Sequence, residues 1–320
     1  MFVSQDRRAL ARLMWRAGLS AAGLALLVQA PAAMAQAPDL SKVEFRTEKL
    51  GDNLFALFGG GGNIAVLTGP DGALVVDSDL VELSSKLRAA LTMVSEKPPR
   101  FLVNTHFHLD HAGGNPTLGR GGTVIVAHDN VRKHLMTQQV VDVGSAKIVT
   151  EPTPPEGLPV ITFAEGVKFH VNGDTVDVIH VDHGHTDSDA FVFFEKANVL
   201  HTGDLFMSIG YPFVDGGNGG TLDGLIAGDV RALALCNDQT RVIPGHGPLT
   251  NKADLQAYHD MLVVVRKRVS DLVNKGRTLE QVQAAAPTKE YEERWGKGFV
   301  NSQVFIQRIY IELSHARKKG

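Results

Sequence analysis

The densest chemistry in the sequence is NTHFHLDHAGG, Asn104 to Gly114, which sets three histidines and an aspartate between His106 and His111. Imidazole and carboxylate donors at such spacing are the ligands that divalent transition metals take. His106 and His108 stand two apart at the end of an expected strand, so their side chains leave the same face and can meet at one point. Asp110 and His111 follow once the chain has turned, with the flexible pair Gly113 and Gly114 just beyond. One cation takes at most about four protein ligands, and the backbone can hardly wrap all four of these around it. The pattern therefore asks for a second ion and for further ligands elsewhere.

Three later stretches offer them: DHGHTDSD (Asp182 to Asp189), HTGDLF (His201 to Phe206) and PGHGP (Pro244 to Pro248). Each follows a hydrophobic strand and carries glycine where the backbone must turn sharply, so all three can converge on one rim. In this order, HFHLDH, GHT, TGD and PGHG resemble the metallo-β-lactamase superfamily across nearly the whole chain after the leader. The resemblance implies an α/β fold, a four-layer αβ/βα sandwich with two mixed β-sheets flanked by helices. It implies that His106, His108 and His185 bind a first metal, that Asp110, His111 and His246 bind a second, and that Asp204 bridges them. His185 is preferred to His183 because the ligand of that pattern follows the glycine; His183 is expected to support the site or face solvent.

The implied cofactor is a pair of zinc ions, with iron or manganese as alternatives, because a carboxylate bridge is less zinc-selective than a thiolate. Two dipositive ions ~3.5–4 Å apart bring a shared water's pKa toward neutrality and supply hydroxide without a serine or cysteine nucleophile. No GxSxG elbow competes with that reading. Asp110 is the expected catalytic residue, holding a metal and orienting the hydroxide or relaying its proton. Familiar lactamases with this first motif carry cysteine where Asp204 stands, whereas aspartate there resembles the glyoxalase II thioesterases, lactonases and phosphodiesterases. The expected function is a metal-dependent hydrolase, first of lactam amides, with a lactonase or thioesterase on the same core as the alternative. An iron-dependent redox enzyme of the same fold is a more distant one.

Two loops are expected to shape the cleft. MSIGYPFVDGGNGG follows Asp204 and nominates Tyr211, Phe213 and Asn218 as substrate contacts. FGGGGN, Phe58 to Asn63, lies between two strands as a flap or a plain turn, and lacks the Lys-Ser/Thr of a phosphate loop. His128, His134, His170, His180, His201, His259 and His315 have no partners at ligand spacing and are read as structural or solvent-facing. Among them His201 is best placed to support Asp204.

The elements that must position these groups are legible from pattern. LFAL, IAVLT and ALVVD read as strands of a meander, and Ser78 as the cap of a helix with apolar Leu80, Leu83, Leu87 and Leu91. Strands Phe101 to Asn104 and Thr123 to Ala127 follow, the second leading into a short helix. The prolines between Val141 and Pro159 predict an irregular loop bordering a cleft. From Val160 to Met207 the pattern is almost all strand, with Asn172-Gly173 as a tight hairpin. Helices are expected over Thr221 to Cys236, over a long stretch carrying Leu255, Tyr258, Leu262, Val265, Val269 and Leu272, and after the capping box Thr278/Gln281.

Composition bounds the rest. At 320 residues and 43% hydrophobic content the chain can bury a substantial core. Residues 1–35 read as a signal peptide, with Arg7, Arg8, Arg12 and Arg16 ahead of an apolar run and then Ala33-Met34-Ala35, leaving 36–320 as a single domain. That run of about a dozen residues is short of the roughly 20 that span a bilayer, so no stable membrane anchor is expected after cleavage. The implied compartment is periplasmic or extracellular. The chain carries a net charge of −3, more negative once the leader's arginines are gone, which disfavours nucleic acid and favours a small-molecule substrate. Cys236, the only cysteine, excludes an intrachain disulfide and is read as a buried, inert thiol.

Overall fold

The computed structural model describes residues 39–143 and 147–319; the expected signal peptide lies outside them. The chain first lays down a meander, β1 (Arg46–Lys49), β2 (Leu54–Phe58), β3 (Ile64–Leu67) and β4 (Ala73–Val76), each antiparallel to the last. Helix α1 (Ser84–Val94) then carries it over to β5 (Pro99–Val103), parallel to β4. The histidine-rich stretch, α2 (Leu109–Ala112) and α3 (Asn115–Arg120) lead to β6 (Val124–His128), parallel to β5, and α4 (Asp129–Leu135) follows. An antiparallel hairpin, β7 (Gln139–Asp142) with β8 (Lys147–Thr150), comes before β9 (Ile161–Phe163) completes the first sheet beside β6. The second sheet runs β10 (Gly166–Val171), β11 (Asp174–His180), β12 (Ala190–Phe194), β13 (Val199–His201), β14 (Arg241–Ile243) and β15 (Thr250–Asn251) in spatial order. Helix α5 (Leu222–Leu235) joins β13 to β14, and α6 (Lys252–Asn274), α7 (Leu279–Ala284), α8 (Glu292–Trp295) and α9 (Ser302–Lys319) close the chain.

Alternation along the strands builds four layers. Leu54, Ala56, Leu74 and Val76 face Val176, Val178, Val192 and Phe194 of the other sheet in one continuous core. Their neighbours Leu57, Val66, Ala73 and Val75 point the other way, against Leu87 and Leu91 of α1 and Leu118 of α3. On the far side Phe191, Leu200 and Val242 pack under α5, α6 and α9 through Leu225, Leu262 and Phe305. Each fully buried side chain of this size contributes about 1.5–3 kcal/mol. The predicted sandwich is therefore present.

Local signals hold in several places. Asn172 and Gly173 turn the β10–β11 hairpin with φ of 54° and 75°, Thr221 caps α5, and Thr278 and Gln281 form the capping box of α7. Cys236 is buried at the end of α5, where burial pushes its thiol up to about 11.

Two expectations are corrected. Ser78 caps no helix: its backbone N–H and hydroxyl both donate to His111 O, and the hydroxyl also donates to Asn115 Oδ1. The helical region begins later, as a 3-10 turn over Val81–Leu83 that runs into α1. The stretch from Val141 to Pro159 is not wholly irregular either: β7 and β8 pair across it, and the proline-rich part after Thr150 holds no strand.

The buried face of α5 holds Asp229, for which neither carboxyl oxygen finds a hydrogen-bond partner among the described residues. Burial holds its pKa well above the usual carboxylate value. The folded chain thus keeps a proton that the unfolded chain loses above about pH 4, so this group penalises folding progressively as pH rises. In chemical denaturation, the stability of Asp229→Asn relative to wild type should improve as pH rises above about 4, by up to about 1.4 kcal/mol per pH unit for as long as the buried carboxyl keeps its proton. A difference independent of pH would mean that the carboxyl is already ionised in the fold.

Candidate metal centre

The four motif stretches sit at the C-terminal ends of β5, β11, β13 and β14, so the topology alone delivers them to one edge of the sandwich. What fixes the side chains is a set of acceptors behind them. Asp77, directly after β4, accepts from Thr105 N and Thr105 Oγ1, both at 2.8 Å. It also accepts from His111 Nδ1 at 2.7 Å. Having given its proton to Asp77, the Thr105 hydroxyl accepts from His106 Nδ1 at 3.1 Å. His185 Nδ1 donates to Phe213 O at 2.6 Å, and His108 Nε2 to Asp215 Oδ2 at 3.0 Å.

Each of these four rings therefore commits one nitrogen outward as a donor and turns the other inward, as a lone pair wherever the ring is neutral. The inward nitrogens crowd together. His108 Nδ1 lies 2.9 Å from His185 Nε2, and His111 Nε2 lies 3.3 Å from His246 Nε2. Asp204 Oδ1 is 3.1 Å from His111 Nε2 and 3.4 Å from His246 Nε2, while its Oδ2 is 3.7 Å from His185 Nε2. Asp110 Oδ2 is 3.2 Å from His246 Nε2. Three ligand groups result: His106 with His108 and His185, His106 with His111 and Asp204, and Asp110 with His111 and His246, each with atoms within 4.8 Å of one another.

This donor set fits metal ions. His106 Nε2 is buried without a hydrogen bond, and an orphaned buried polar atom costs about 1–3 kcal/mol. A cation among the lone pairs relieves that cost, and mixed imidazole and carboxylate donors suit zinc, iron and manganese. The electrostatics point the same way. Burial, reinforced by the neighbouring histidines, holds His106 well below the usual histidine value, and burial takes His185 to about 4, so both offer neutral imidazole. Burial also opposes charge on His111, but Asp204, Asp77 and Asp110 outweigh it and hold its pKa well above the ordinary value. Asp204 in turn is buried yet kept well below the usual carboxylate range by His246 and His111. The cluster is built to hold positive charge.

Glycines let backbone approach this closely. A Cβ at Gly62 would fall 2.3 Å from the His111 ring, and one at Gly245 would fall 2.0 Å from Asp204 Oδ1. The end of FGGGGN accordingly serves as a brace. Gly62 N donates to Asp110 O at 2.8 Å, and Asn63 Nδ2 donates to Pro244 O and Gly247 O at 2.8 and 2.9 Å. His201 completes the brace as expected of a supporting group: its Nε2 donates to Asn63 O at 2.9 Å and its Nδ1 accepts from Gly203 N at 3.2 Å.

Beside the cluster opens a cavity of about 470 Å³, reached by His108, Asp110, Asp204 and His246. Of the three nominated substrate contacts, only Phe213 lines it. Tyr211 is fully buried, stacks on Phe305 at 5.1 Å and donates its hydroxyl to Glu292 Oε1 at 3.0 Å, so it belongs to the core. Asn218 instead orients Asp215, donating to Oδ2 at 2.7 Å. His183 is exposed and donates to Gly219 O, away from the cluster.

Sequence reading missed most of the cavity wall. Phe107, between two expected ligands, lines it, and His134 stacks on Phe107 at 4.2 Å while bonding Asp187 Oδ1 at 2.7 Å and Gln139 Oε1 at 3.0 Å. Val141 and Ile148 of the hairpin and Phe299 near the C-terminus complete it. Only the position of Phe107 inside the motif could have been flagged. His128 and His180 stack on each other at 3.6 Å, outside the cavity lining.

The sequence matches the family described as the Metallo-beta-lactamase superfamily over residues 57–246. No curated protein matches. The chain is similar to a metallo-beta-lactamase from Pontibacter korlensis, at 19% identity and TM-score 0.56, over 69% of this chain and 99% of that one. It is similar to the DIM-1 metallo-beta-lactamase at 20% identity and TM-score 0.53, again over 69% and 99%. The stereoselective inverting sec-alkylsulfatase Pisa1 from Pseudomonas sp. aligns at 17% identity and TM-score 0.63 over 84% of this chain, which spans 50% of that protein. These likenesses show the fold. With the family match covering more than half of the sequence and the four motifs gathered at one sheet edge, the chain belongs to the metallo-beta-lactamase superfamily.

Proposed function

We propose that this chain is a dinuclear, zinc-dependent hydrolase of carbonyl–heteroatom bonds, with lactam amides as its leading substrates. The observation that carries the reading is the convergence of uncommitted nitrogens and two carboxylates at the mouth of an open cavity. A structural metal site is closed by four protein ligands, whereas a catalytic one keeps an open position facing substrate. His106, His108 and His185 would hold one ion and Asp110, His111 and His246 the other, with Asp204 available to both. Bound there, the ions supply an activated water at neutral pH and a Lewis acid for the substrate carbonyl. Asp110, whose side chain borders the cavity and is about a third exposed, accepts or relays the proton. The wall formed by Phe107 and Phe213 orients the substrate.

The metallo-beta-lactamases that align along almost their whole length support the lactam reading. A second reading, a lactone or thioester substrate, is favoured by the absence of lysine and arginine among the described residues lining the cavity. That same lining offers the charged head of a sulfate ester neither lysine nor arginine. Among the described residues no helix is long and apolar enough to cross a membrane, and the substrate is taken to be a small molecule met outside the cytoplasm.

Metal analysis of purified protein should give close to two ions per chain, and His111→Ala or His246→Ala should remove one. A wild-type stoichiometry of one ends the dinuclear reading. Asp110→Ala should lower kcat by roughly 10²–10⁴-fold on any hydrolysed substrate, read against the metal content of the same sample. A panel of lactams, lactones and thioesters ranks the substrates, and turnover of thioesters alone would retire the lactam reading.

A further inference from the structure

The cavity wall carries information about substrate that the cluster does not. From the hydrolase reading and this wall together, we infer that the enzyme selects substrates bearing an uncharged, apolar substituent beside the scissile carbonyl, and discriminates against substrates carrying a carboxylate there. The wall is built from Phe107, Leu135, Val141, Ile148, Met207 and Phe213, with neither lysine nor arginine among its described residues. Cationic groups near it are already engaged. Arg308, 6.0 Å from the Phe213 ring, donates to the backbone oxygen and carboxylate of Asp142. His134 has both ring nitrogens on protein acceptors, Asp187 and Gln139.

Away from the metal cluster, the charged side chain on this wall is acidic. Glu151 lines it, and Gln138 Nε2 donates to the Glu151 carboxylate at 3.1 Å. A substrate carboxylate held against this wall, beyond reach of the cluster, would give up hydration with no lysine or arginine to pair with, and an unpaired desolvated charge is among the most costly groups to bury. An alkyl or aryl substituent meets these apolar side chains, which share the lining with the uncharged Thr137, Gln139, Thr150 and Thr153. The apolar surface continues outward, because Ile148, Ile209 and Phe299 line the mouth while remaining 48%, 50% and 76% exposed. A longer apolar arm therefore keeps gaining contact as it leaves the cavity. Exposed apolar side chains gathered around one opening, rather than scattered singly, mark a binding surface.

The test uses the metal-loaded protein and two series of γ-lactones, one with n-alkyl substituents from methyl to octyl, the other ending in a carboxylate at each length. A lactam is added as the free acid and as its methyl ester. Binding is measured by calorimetry and turnover in parallel. For the alkyl series, affinity and kcat/KM should rise about three- to fourfold per methylene over the first several carbons. Each carboxylate-ended partner should lag its alkyl counterpart by at least about thirtyfold, and the lactam ester should outpace the acid. Ile148→Lys, a change at a half-exposed position that leaves the core intact, should narrow the gap by improving the carboxylate series. A flat dependence on chain length, or acids handled as well as alkyl partners, overturns the inference whether or not turnover occurs. Chain-length-dependent binding without hydrolysis supports the selectivity and defeats the hydrolase reading instead.

Discussion

The structure depends on one constraint: four buried imidazoles must each spend a nitrogen on a protein acceptor so that the other is left bare. Asp77 satisfies it for two of them, directly for His111 and through the Thr105 hydroxyl for His106. The carboxylate of Asp215 and the backbone oxygen of Phe213 satisfy it for His108 and His185. A hydrogen bond of this kind fixes the tautomer, the ring plane and the basicity of the ligand together. Remove the acceptors and the same residues at the same spacing would be ordinary polar loop.

The two sheets exist, in this light, to bring acceptors and donors from distant parts of the chain to one edge. Strand β4 delivers Asp77, β5 the histidine cluster, and β11, β13 and β14 the remaining ligands. Gathering carboxylates and imidazoles out of water opposes folding, and the cores on both faces of each sheet must outweigh it. Asn63 then ties the two halves together at the site, bonding Pro244 and Gly247 across the edge while its own oxygen receives His201.

Legibility in the sequence followed how local each signal was. The ligands were readable because metal chemistry demands particular residue types at short spacing, and the strands and capped helices because their signals repeat within a few residues. Asp77 and Ser78 were not, since VVDSD looks like a strand end and a helix cap until His111 is seen folding back onto it. Tyr211 was read as a cleft residue because its loop follows Asp204, yet its hydroxyl pairs with Glu292, 81 residues away. The hairpin β7–β8 was hidden by the prolines that follow it. Its strands are short and partly exposed, so the alternation that announces a buried strand is weak.

That hairpin has a further consequence for how the protein is made. Its hold on the fold includes Arg308 of α9, which grips Asp142 from 166 residues downstream. Phe299, just before the same helix, supplies part of the cavity mouth. A domain generally folds as a unit, so the ligand-bearing loops, complete in sequence by His246, gain this part of their cavity wall only once α9 has docked on the hairpin.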